Sequence, residues 1–401
     1  MKFALVGASG YGFGYYLRML DERIPHGLER LTGIVDPFAE ACPWYERLKA
    51  LGIPFYDTLE AFYREREADL VFIASPVPFH KEQAVCAIEH GSWALCEKPL
   101  AARLQDVDEI RERLGGRVRR LGVGFQWSFS ECMLSLKRDI LAGLYGKPVL
   151  LKTFASMPRP DAYYSASGWR GRLKDARGNW ALDSVLTNAA SHYLHNMFFV
   201  LGQRPDLAAM PETVSGSVYR GKPIQSYDTC FLRGSFPGGG AFWFGATHAS
   251  DRNDGPRFEY VFERGTVRFD PDGDGRAVGR LENGETRTYG RPRSDAGIEE
   301  KILRMAAAMK TGETPVCHAE TILPHLTVCN GVADHLPVRD FPPELRVHQA
   351  EPKADWVRDL HADASRCYAA AKLPDEMGLA WAAPSVTFRT ADVTRFEGRL
   401  L

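Results

Sequence analysis

Short apolar runs alternate with stretches of helical periodicity over the first third of the chain. Five of these runs have the length of buried strands, and apolar positions recur at helical spacing in residues 39–51 and 81–89 between them. Alternation of this kind is typical of a parallel sheet with helices on both faces. The pattern predicts an α/β domain with a parallel sheet over residues 1–124, with strands at 3–6, 31–35, 70–74, 93–96 and 121–124.

Beyond residue 149, strand-like runs follow one another directly, with turns between them. One long helical stretch at about 185–201 interrupts them, and helices are expected at about 298–310 and after Glu320. Consecutive strands indicate an α+β domain with a largely antiparallel open sheet. We place this domain at residues 125–340, with strands at 150–154, 214–219, 229–236, 240–247, 258–263 and 265–269.

Residues 341–401 are interpreted as a C-terminal extension. The extension begins with prolines and charged residues, continues into an amphipathic helix and ends near a strand-like run at 386–390. Because the helix has an apolar face, either the rest of the chain or a partner subunit must cover it. The residues expected on that face are Trp356, Leu360, Ala364, Cys367, Tyr368 and Ala371.

A glycine-rich turn follows the first strand and leads into a helix. Such a turn directs backbone N–H groups and the positive end of a helix dipole at one point, which suits a pyrophosphate. Glycine occupies the first and sixth positions of the dinucleotide fingerprint, whereas Ser9 occupies the third. The first domain is therefore predicted to be a Rossmann dinucleotide-binding domain. The residues assigned to its cofactor turn are Gly7, Ser9, Gly10, Tyr11 and Gly12.

Asp36 directly follows the second strand, at the distance expected for the acid that binds the adenosine ribose. A carboxylate there accepts hydrogen bonds from ribose hydroxyls and repels a 2'-phosphate. We therefore expect NAD as the cofactor rather than NADP. The alternative is a glycine turn with a helix-capping aspartate and no cofactor.

Charge gives no indication of a polyanionic partner, because 50 basic and 51 acidic residues leave a formal net charge of −1 in 401 residues. Nucleic acid and membrane-surface binding are therefore disfavoured. The chain starts with a strand rather than a leader, and no apolar run approaches the length of a membrane span. We expect a cytoplasmic protein that acts on a small molecule.

No metal or disulfide is predicted. The eight cysteines include no C-x-x-C pair, so buried thiols are the preferred interpretation. Asp270–Gly275 resembles the start of a calcium loop, but Leu281 stands where the bidentate glutamate would be. We interpret this segment as a hairpin turn.

Two further motifs follow the strands of the first domain: Ser75-Pro76 with His80, and Glu97-Lys98-Pro99. Together with the glycine turn and Asp36, they resemble the glucose-fructose oxidoreductase, inositol dehydrogenase and rhizopine catabolism (Gfo/Idh/MocA) family. The resemblance covers roughly residues 1–340 and includes the segment around Gln126, residues 143–149, the helix around His192, and Ala319-Glu320.

This resemblance implies a fold and a set of roles. It places Ser75, Pro76, His80, Glu97, Lys98 and Gln126 at the cofactor, with Lys98 also in the active site. A flexible ammonium next to the nicotinamide can stabilise a substrate alkoxide; the alternative is a solvated surface lysine. The family also uses one face of the second domain's sheet for subunit association, which implies a homodimer or homotetramer.

A second group of candidate residues lies in the predicted helix at 185–201 and just before it. On a helix, Asn188 and His192 share a face, and His195 lies one turn further along. The family has an aspartate four residues before its acid/base residue, so His192 takes the acid/base position and Asn188 replaces the carboxylate. An amide can only orient the imidazole, whereas a carboxylate stabilises imidazolium, unless Asp183 compensates. Either histidine could instead be a core residue.

The loop at 163–180 is rich in aromatic and polar residues. Tyr164, Trp169 and Arg170 could stack on a polyhydroxylated ring and bind its hydroxyls, together with Asp183, Asn188 and His195. Equally, the loop could simply cover the edge of the sheet.

We therefore expect an NAD-dependent oxidoreductase acting on a secondary alcohol or ketone of a sugar, inositol or related polyol. His192 would remove the hydroxyl proton and Lys98 would stabilise the alkoxide as hydride passes to the nicotinamide. One alternative is an NAD-dependent glycosidase or lyase that oxidises its substrate transiently. Another is a non-catalytic NAD-responsive regulator, although such a protein would not need both Lys98 and His192.

Overall fold

The computed structural model describes residues 1–292, 294–350 and 354–400. The chain forms two compact units, the first made of residues 1–131 and 293–322 and the second of residues 132–292 and 323–401. This division differs from boundaries at 124 and 340, because residues 293–322 lie in the first unit and the C-terminal extension lies in the second. No described helix is long and apolar enough to cross a membrane.

The strands are β1 (Phe3–Val6), β2 (Leu31–Val35), β3 (Phe55–Tyr56), β4 (Leu70–Ile73), β5 (Trp93–Cys96), β6 (Leu121–Val123), β7 (Pro148–Ser156), β8 (Thr213–Arg220), β9 (Thr229–Ser235), β10 (Ala241–Thr247), β11 (Asp254–Phe262), β12 (Gly265–Phe269), β13 (Ala277–Leu281), β14 (Thr286–Gly290), β15 (Val338–Asp340), β16 (Arg346–Gln349), β17 (Ala354–Val357) and β18 (Val386–Arg389). The α-helices are α1 (Arg18–Glu22), α2 (Tyr45–Ala50), α3 (Leu59–Glu65), α4 (Val77–Glu89), α5 (Leu104–Leu114), α6 (Gln126–Phe129), α7 (Glu131–Leu141), α8 (Asp161–Ser165), α9 (Ser191–Val200), α10 (Ser294–Thr311), α11 (Leu323–His335) and α12 (Leu360–Ala370). A π-helix spans Gly12–Leu17, and 3₁₀-helices span Leu28–Arg30, Ala39–Ala41, Gly115–Arg120, Pro343–Leu345 and Thr390–Asp392.

The first unit contains a six-stranded parallel sheet in the order β3-β2-β1-β4-β5-β6. Every residue of β1, β4 and β5 is buried. Strands buried on both faces have no polar alternation, which is why they are continuous apolar runs in the sequence. The predicted Rossmann-type sheet is confirmed, and the loops after its strands emerge at one edge.

Helix α4 begins earlier than its sequence indicates. Pro76 and Pro78 predict a turn extending to His80, but Pro76 caps α4 and Pro78 lies in the first turn. Proline is tolerated there because the first N–H groups of a helix have no intrahelical acceptor. His80 is consequently on a helix, with its side chain fixed relative to the sheet.

Helix α10 completes the first unit. Ile298, Ile302 and Met305 are buried along one side of it, and Met305 packs so closely on β6 that a Cβ on Gly122 would lie 2.4 Å from its sulfur. A side chain at position 122 would therefore require the end of Met305 to move. The helix expected at 298–310 therefore forms, but as part of the nucleotide-binding unit.

The second unit contains a mainly antiparallel sheet in the order β14-β13-β12-β11-β7-β10-β9-β8-β15, with β18 also paired to β8. The β7–β10 and β8–β15 pairs are parallel. Helix α9 covers one face, where Phe198 contacts Phe242 of β10 with ring centroids 5.4 Å apart. The α+β prediction is confirmed.

The C-terminal extension covers the opposite face of this sheet. Trp243, adjacent to Phe242 in β10, points the other way and contacts Tyr368 of α12 at 5.8 Å, while its indole nitrogen donates to the Lys372 carbonyl at 3.0 Å. The predicted helical face was wrong at one end, since Trp356 lies in β17. The shared core consists of Phe154, Tyr219, Phe231 and Trp243 from the sheet with Phe341, Val357, Leu360, Ala364, Cys367 and Leu373 from the extension.

Candidate active site

The glycine turn of the first unit has the geometry that close packing requires. Gly7 has φ +85°, and a Cβ there would lie 2.8 Å from the Ser75 backbone nitrogen. A Cβ on Gly12 would lie 1.9 Å from the Gly7 carbonyl oxygen, so the helix packs directly on the turn. Around Gly10 nothing lies within 4 Å of a Cβ position, which leaves the backbone open to a ligand.

Asp36 lies where the sequence predicts, directly after β2, but its carboxylate also serves the turn. Oδ2 accepts from the backbone nitrogens of Ala8 and Ser9, both at 2.8 Å, and Oδ1 accepts from Phe38 N at 2.9 Å. A carboxylate has about four lone-pair positions, so capacity for one further donor remains. Asp36 therefore fixes the conformation of the turn as well as placing a negative charge beside it.

His80 connects the loop after β4 to the loop after β5. Its Nε2 lies 2.7 Å from the Ser75 carbonyl oxygen and its Nδ1 lies 2.8 Å from the Pro99 carbonyl oxygen. The ring is buried, and burial lowers the pKa of His80, although the two carbonyls favour the protonated form. With both nitrogens bonded to the backbone, His80 positions the Lys98-Pro99 loop rather than presenting a nitrogen to a cofactor.

Glu97 is the centre of a buried cluster. Its Oε1 accepts from the Tyr16 hydroxyl at 2.8 Å and from the ammonium group of Lys301, whose side chain has no exposed surface. Burial, and then the Glu97 charge, raises the pKa of Tyr16 well above its usual value, so the phenol remains a donor. Glu97 therefore joins the loop before Lys98 to α10 and to the helix after the glycine turn.

The remaining predicted cofactor residues of this unit have separate environments. Tyr11 stacks on Tyr15 with ring centroids 4.2 Å apart, and the Ser75 hydroxyl donates to Gln83. Lys98 is partly buried and precedes a cis proline. Gln126 is buried, and its Oε1 has no hydrogen-bond partner among the described residues.

These features fit a dinucleotide. The open backbone at Gly10 suits a pyrophosphate, the Asp36 carboxylate suits a ribose, and the unsatisfied Gln126 oxygen can accept a hydrogen bond from a ligand. The residues that would bind the cofactor are those of the turn 7–12, Asp36 and Gln126.

In the second unit, the prediction that Asn188 and His192 share a helical face was wrong, because Asn188 is not on the helix. Helix α9 begins at Ser191, and residues 185–190 form turns before it. Asn188 Nδ2 donates to Asp183 Oδ1 at 2.9 Å and to the Tyr163 hydroxyl at 3.0 Å. Asp183 Oδ2 also accepts from Gly171 N at 2.5 Å. The resemblance places a carboxylate at position 188 itself, whereas here the carboxylate of Asp183 is hydrogen-bonded to Asn188.

The two histidines of α9 differ in exposure. His192, in the first turn, keeps 9% of its surface exposed, whereas His195 is completely buried. The His195 ring stacks near Phe199 and lies edge-on to His325, and burial lowers the pKa of His195 well below its usual value. A substrate could reach His192 but not His195 without movement of the core.

A tyrosine–histidine pair, not anticipated as such, lies beside this cluster. The Tyr164 hydroxyl is 2.9 Å from Nδ1 of His248, the residue directly after β10. Next to it, buried Asp228 accepts from Lys222 N and from both Gly221 and Thr229, and burial raises the pKa of Asp228 to about 6. A polar residue at the end of a buried strand, as His248 is, was the available sequence signal.

The loop residues Trp169 and Arg170 are partly buried around Tyr163. The Arg170 guanidinium carbon lies 4.6 Å from the centroid of the Tyr163 ring and 5.8 Å from that of Trp169. Arg159, which the sequence analysis did not single out, lies 5.2 Å from the Tyr163 centroid. The loop therefore does bring aromatic rings and guanidinium groups together next to Asn188.

Metal ligands are not assembled in the described part of the chain, where no three His, Cys, Asp or Glu side chains are grouped to bind an ion. Asp270–Gly275 connects the antiparallel strands β12 and β13, as the hairpin interpretation predicts. All eight cysteines are buried thiols.

Comparison with known proteins identifies the first unit. Residues 1–125 match the model of the Gfo/Idh/MocA oxidoreductase family, NAD-binding Rossmann fold. This part of the chain is similar to the NAD-binding domain of that family. The match includes the glycine turn, Asp36 and the Lys98 loop, and it stops before the second unit.

Curated relatives of the Gfo/Idh/MocA segment match only part of their own length. The 1,5-anhydro-D-fructose reductase of Ensifer adhaerens is 28% identical over 150 residues, which are 37% of this chain and 42% of the relative. Inositol 2-dehydrogenase of Streptomyces avermitilis is 29% identical over 171 residues, or 40% and 48%. The chain thus spans less than half the length of these two relatives.

Solved structures extend the likeness to both units. The WlbA dehydrogenase from Bordetella pertussis, in complex with NADH and UDP-GlcNAcA, aligns with a TM-score of 0.64 at 21% identity, covering 82% of this chain and 94% of that one. At this identity the likeness shows that the fold is shared.

Proposed function

We propose that the protein is an NAD-dependent oxidoreductase that transfers a hydride between the nicotinamide and a secondary alcohol or ketone of a sugar, inositol or related polyol. When bound, NAD would supply the hydride acceptor. The family match over residues 1–125 and the two curated relatives, a sugar reductase and an inositol dehydrogenase, support this class of reaction.

The observation that carries the proposal is a continuous set of contacts from the glycine turn to Lys98. Gly7 packs on the Ser75 backbone, the Ser75 carbonyl contacts His80, and His80 contacts the Pro99 carbonyl. The glycine turn and the loop that carries Lys98 are therefore held at fixed positions on the same edge of the sheet. Catalysis requires such fixed positions, because small displacements of a charged group reduce its effect on the transition state.

The residues divide the work as follows in our proposal. His192 accepts the proton of the reacting hydroxyl, since its ring is the more accessible of the two on α9. Lys98 stabilises the negative charge that develops on the oxygen. The Asp36 charge disfavours a 2'-phosphate, which gives a preference for NAD over NADP.

The test is NADH formation, followed by absorbance, with NAD and a panel of sugars and inositols. Lys98→Met and His192→Ala should each lower turnover at least about a hundredfold, the usual scale for losing an acid/base or a charge stabiliser, and should change NAD affinity much less. Lys310→Met, at an exposed lysine of the same unit, is the matched control and should match the wild type. Wild-type turnover by His192→Ala would assign the base to another residue.

The same assay separates the glycosidase or lyase alternative. Transient oxidation regenerates NAD in each cycle, so a product would form without accumulation of NADH. Product analysis by chromatography in parallel with absorbance distinguishes the two reactions. Binding of NAD without turnover of any compound would favour the regulator.

A further inference from the structure

Two arginines in the second unit have no acidic partner among the residues that the structure describes. Arg159 and Arg170 are both partly buried, and no carboxylate oxygen of the described residues lies within 4.0 Å of either guanidinium. Their terminal nitrogens donate to backbone oxygens, from Arg159 to Pro158 at 3.4 Å and from Arg170 to Tyr163 at 3.2 Å, and Arg159 also forms a side-chain hydrogen bond with Tyr163. The Nε atom of each is buried without a partner in the described part of the chain.

Two of the nearby acids are engaged by other donors. Asp183 accepts from Gly171 N and Asn188, and Asp228 is saturated by backbone and hydroxyl donors. Asp161 has a buried Oδ1 without a hydrogen-bond partner among the described residues, but it forms no ion pair with either arginine there. A partly buried cation without a directly bound counter-charge is unfavourable.

Both arginines converge on one ring. Their guanidinium carbons lie 5.2 and 4.6 Å from the centroid of Tyr163, whose hydroxyl accepts from Asn188, four residues before His192. Stacking on an aromatic face orients a guanidinium and leaves its edge to bind a planar or tetrahedral anion. The positive charge of both arginines is thus concentrated at Tyr163, and that of Arg159 also acts on Tyr193, the residue after the proposed base.

The charge is local. The whole chain has a formal net charge of −1, so it exerts no general attraction on anions. Residues 158–178, by contrast, contain five basic and two acidic residues. The hydroxyl groups of a neutral sugar could form hydrogen bonds, but they would not neutralise the charges of Arg159 and Arg170.

We propose that Arg159 and Arg170 bind an anionic group of the substrate, so that the polyol oxidised by this protein is a sugar acid or sugar phosphate rather than a neutral sugar. This inference rests on the proposed function for the identity of the reacting hydroxyl. It concerns the second unit alone and can be tested by binding without turnover.

Calorimetry on the full-length protein saturated with NADH, using glucuronate, glucose 6-phosphate and glucose as probes, tests the inference. We expect one charged probe to bind at least about tenfold more tightly than glucose, and Arg170→Met and Arg159→Met each to weaken it at least about tenfold, the usual scale for a charged hydrogen bond. Whichever charged probe binds distinguishes carboxylate from phosphate. Glucose affinity should be unchanged in both variants, a result that a merely structural role would not give.

Arg172→Met is the matched control, because Arg172 is an exposed arginine of the same loop and should change no affinity by more than about twofold. Equal affinity for glucose and both charged probes, equal loss of all three in the arginine variants, or no binding of any probe would overturn the inference. Arginine-dependent binding of a charged probe without NADH turnover would uphold it and count against the proposed function. Oxidation of neutral polyols with kinetics that neither arginine variant changes would support the proposed function and overturn the inference.

Discussion

Replacing Lys301 by methionine removes the cation from the buried cluster around Glu97. The Lys301 side chain has no exposed surface, and that of Glu97 is 7% exposed. Removing one partner of a buried ion pair leaves an uncompensated charge and costs about 3–5 kcal/mol. The Tyr16 hydroxyl would remain as a donor to Glu97, so we expect the lower half of that range for Lys301→Met. Tyr16→Phe should cost about 1.5–3 kcal/mol, the value of a hydrogen bond to a charged group.

The assay is urea unfolding followed by circular dichroism, with hydrogen exchange of the β5 amides to locate the effect in the first unit. Lys310→Met, at an exposed position of the same helix, should stay within about 0.5 kcal/mol of the wild type. The double variant Lys301→Met with Glu97→Met should be more stable than either single variant, because an apolar pair replaces the ion pair without leaving a charge. A Lys301→Met variant within about 1 kcal/mol of the wild type, or additive costs in the double variant, would refute the reasoning.

Three other outcomes are expected. Asp36→Ala should relax the preference for NAD over NADP at least about tenfold and weaken NAD binding too, since three backbone N–H groups lose their acceptor; tighter binding of NADP than NAD by the wild type in calorimetry would contradict the assignment. Asn188→Asp should place two carboxylates in contact with each other and raise the pKa of one of them. The variant should therefore lose more stability relative to the wild type at pH 8 than at pH 5, as measured by urea unfolding. An equal loss at both pH values would show that Asp183 is not the neighbour of residue 188. The pKa of Asp228 is raised to about 6, so the folded state binds this proton more tightly than the unfolded state. The contribution of Asp228 to stability is therefore present below about pH 4 and lost as pH rises through 6. Asp228→Asn should remove this pH dependence, and an unchanged difference in unfolding free energy between pH 5 and pH 8 would contradict the prediction.

The first unit could be read from the sequence because its strands are buried on both faces. Runs such as Phe3–Val6 and Trp93–Cys96 have no polar position to obscure them, and the residues that directly follow them are the ones proposed to carry the chemistry. Tight packing also forces glycine at positions 7 and 12. Burial and backbone geometry thus mark these elements locally, within a few residues.

The place of α10 could not be read in the same way. Its contact with Glu97 joins residues 204 positions apart, and the local hydrophobic pattern cannot predict so distant a partner. The one local signal was Lys301 itself, a lysine among the buried Ile298, Ile302 and Met305. A lysine on an apolar helical face requires a buried acceptor, although its position alone does not say which one.

The candidate residues of the second unit depended on an assumed helix. Asn188 and His192 are four residues apart, but the chain is not yet helical at Asn188, so spacing did not report their geometry. The hydrogen bonds of Asp183, Asn188 and Tyr163 bring together three segments of the loop. Side chain–side chain contacts of this kind are set by turns, whose conformations the hydrophobic pattern does not specify.

The position of the C-terminal extension bears on how subunits could associate. The family resemblance implies a homodimer or homotetramer through the sheet of the second unit. The large apolar side chains of one face, including Phe231 and Trp243, are already buried by the extension. Hydrogen bonds and ion pairs fasten it as well, among them Trp243 to Lys372 and Arg233 to Glu376 at 2.8 Å. A partner subunit that used this part of the face would have to displace the extension and expose the core that it covers. The extension therefore buries this part of the sheet within one chain, and the homodimer or homotetramer stays a prediction.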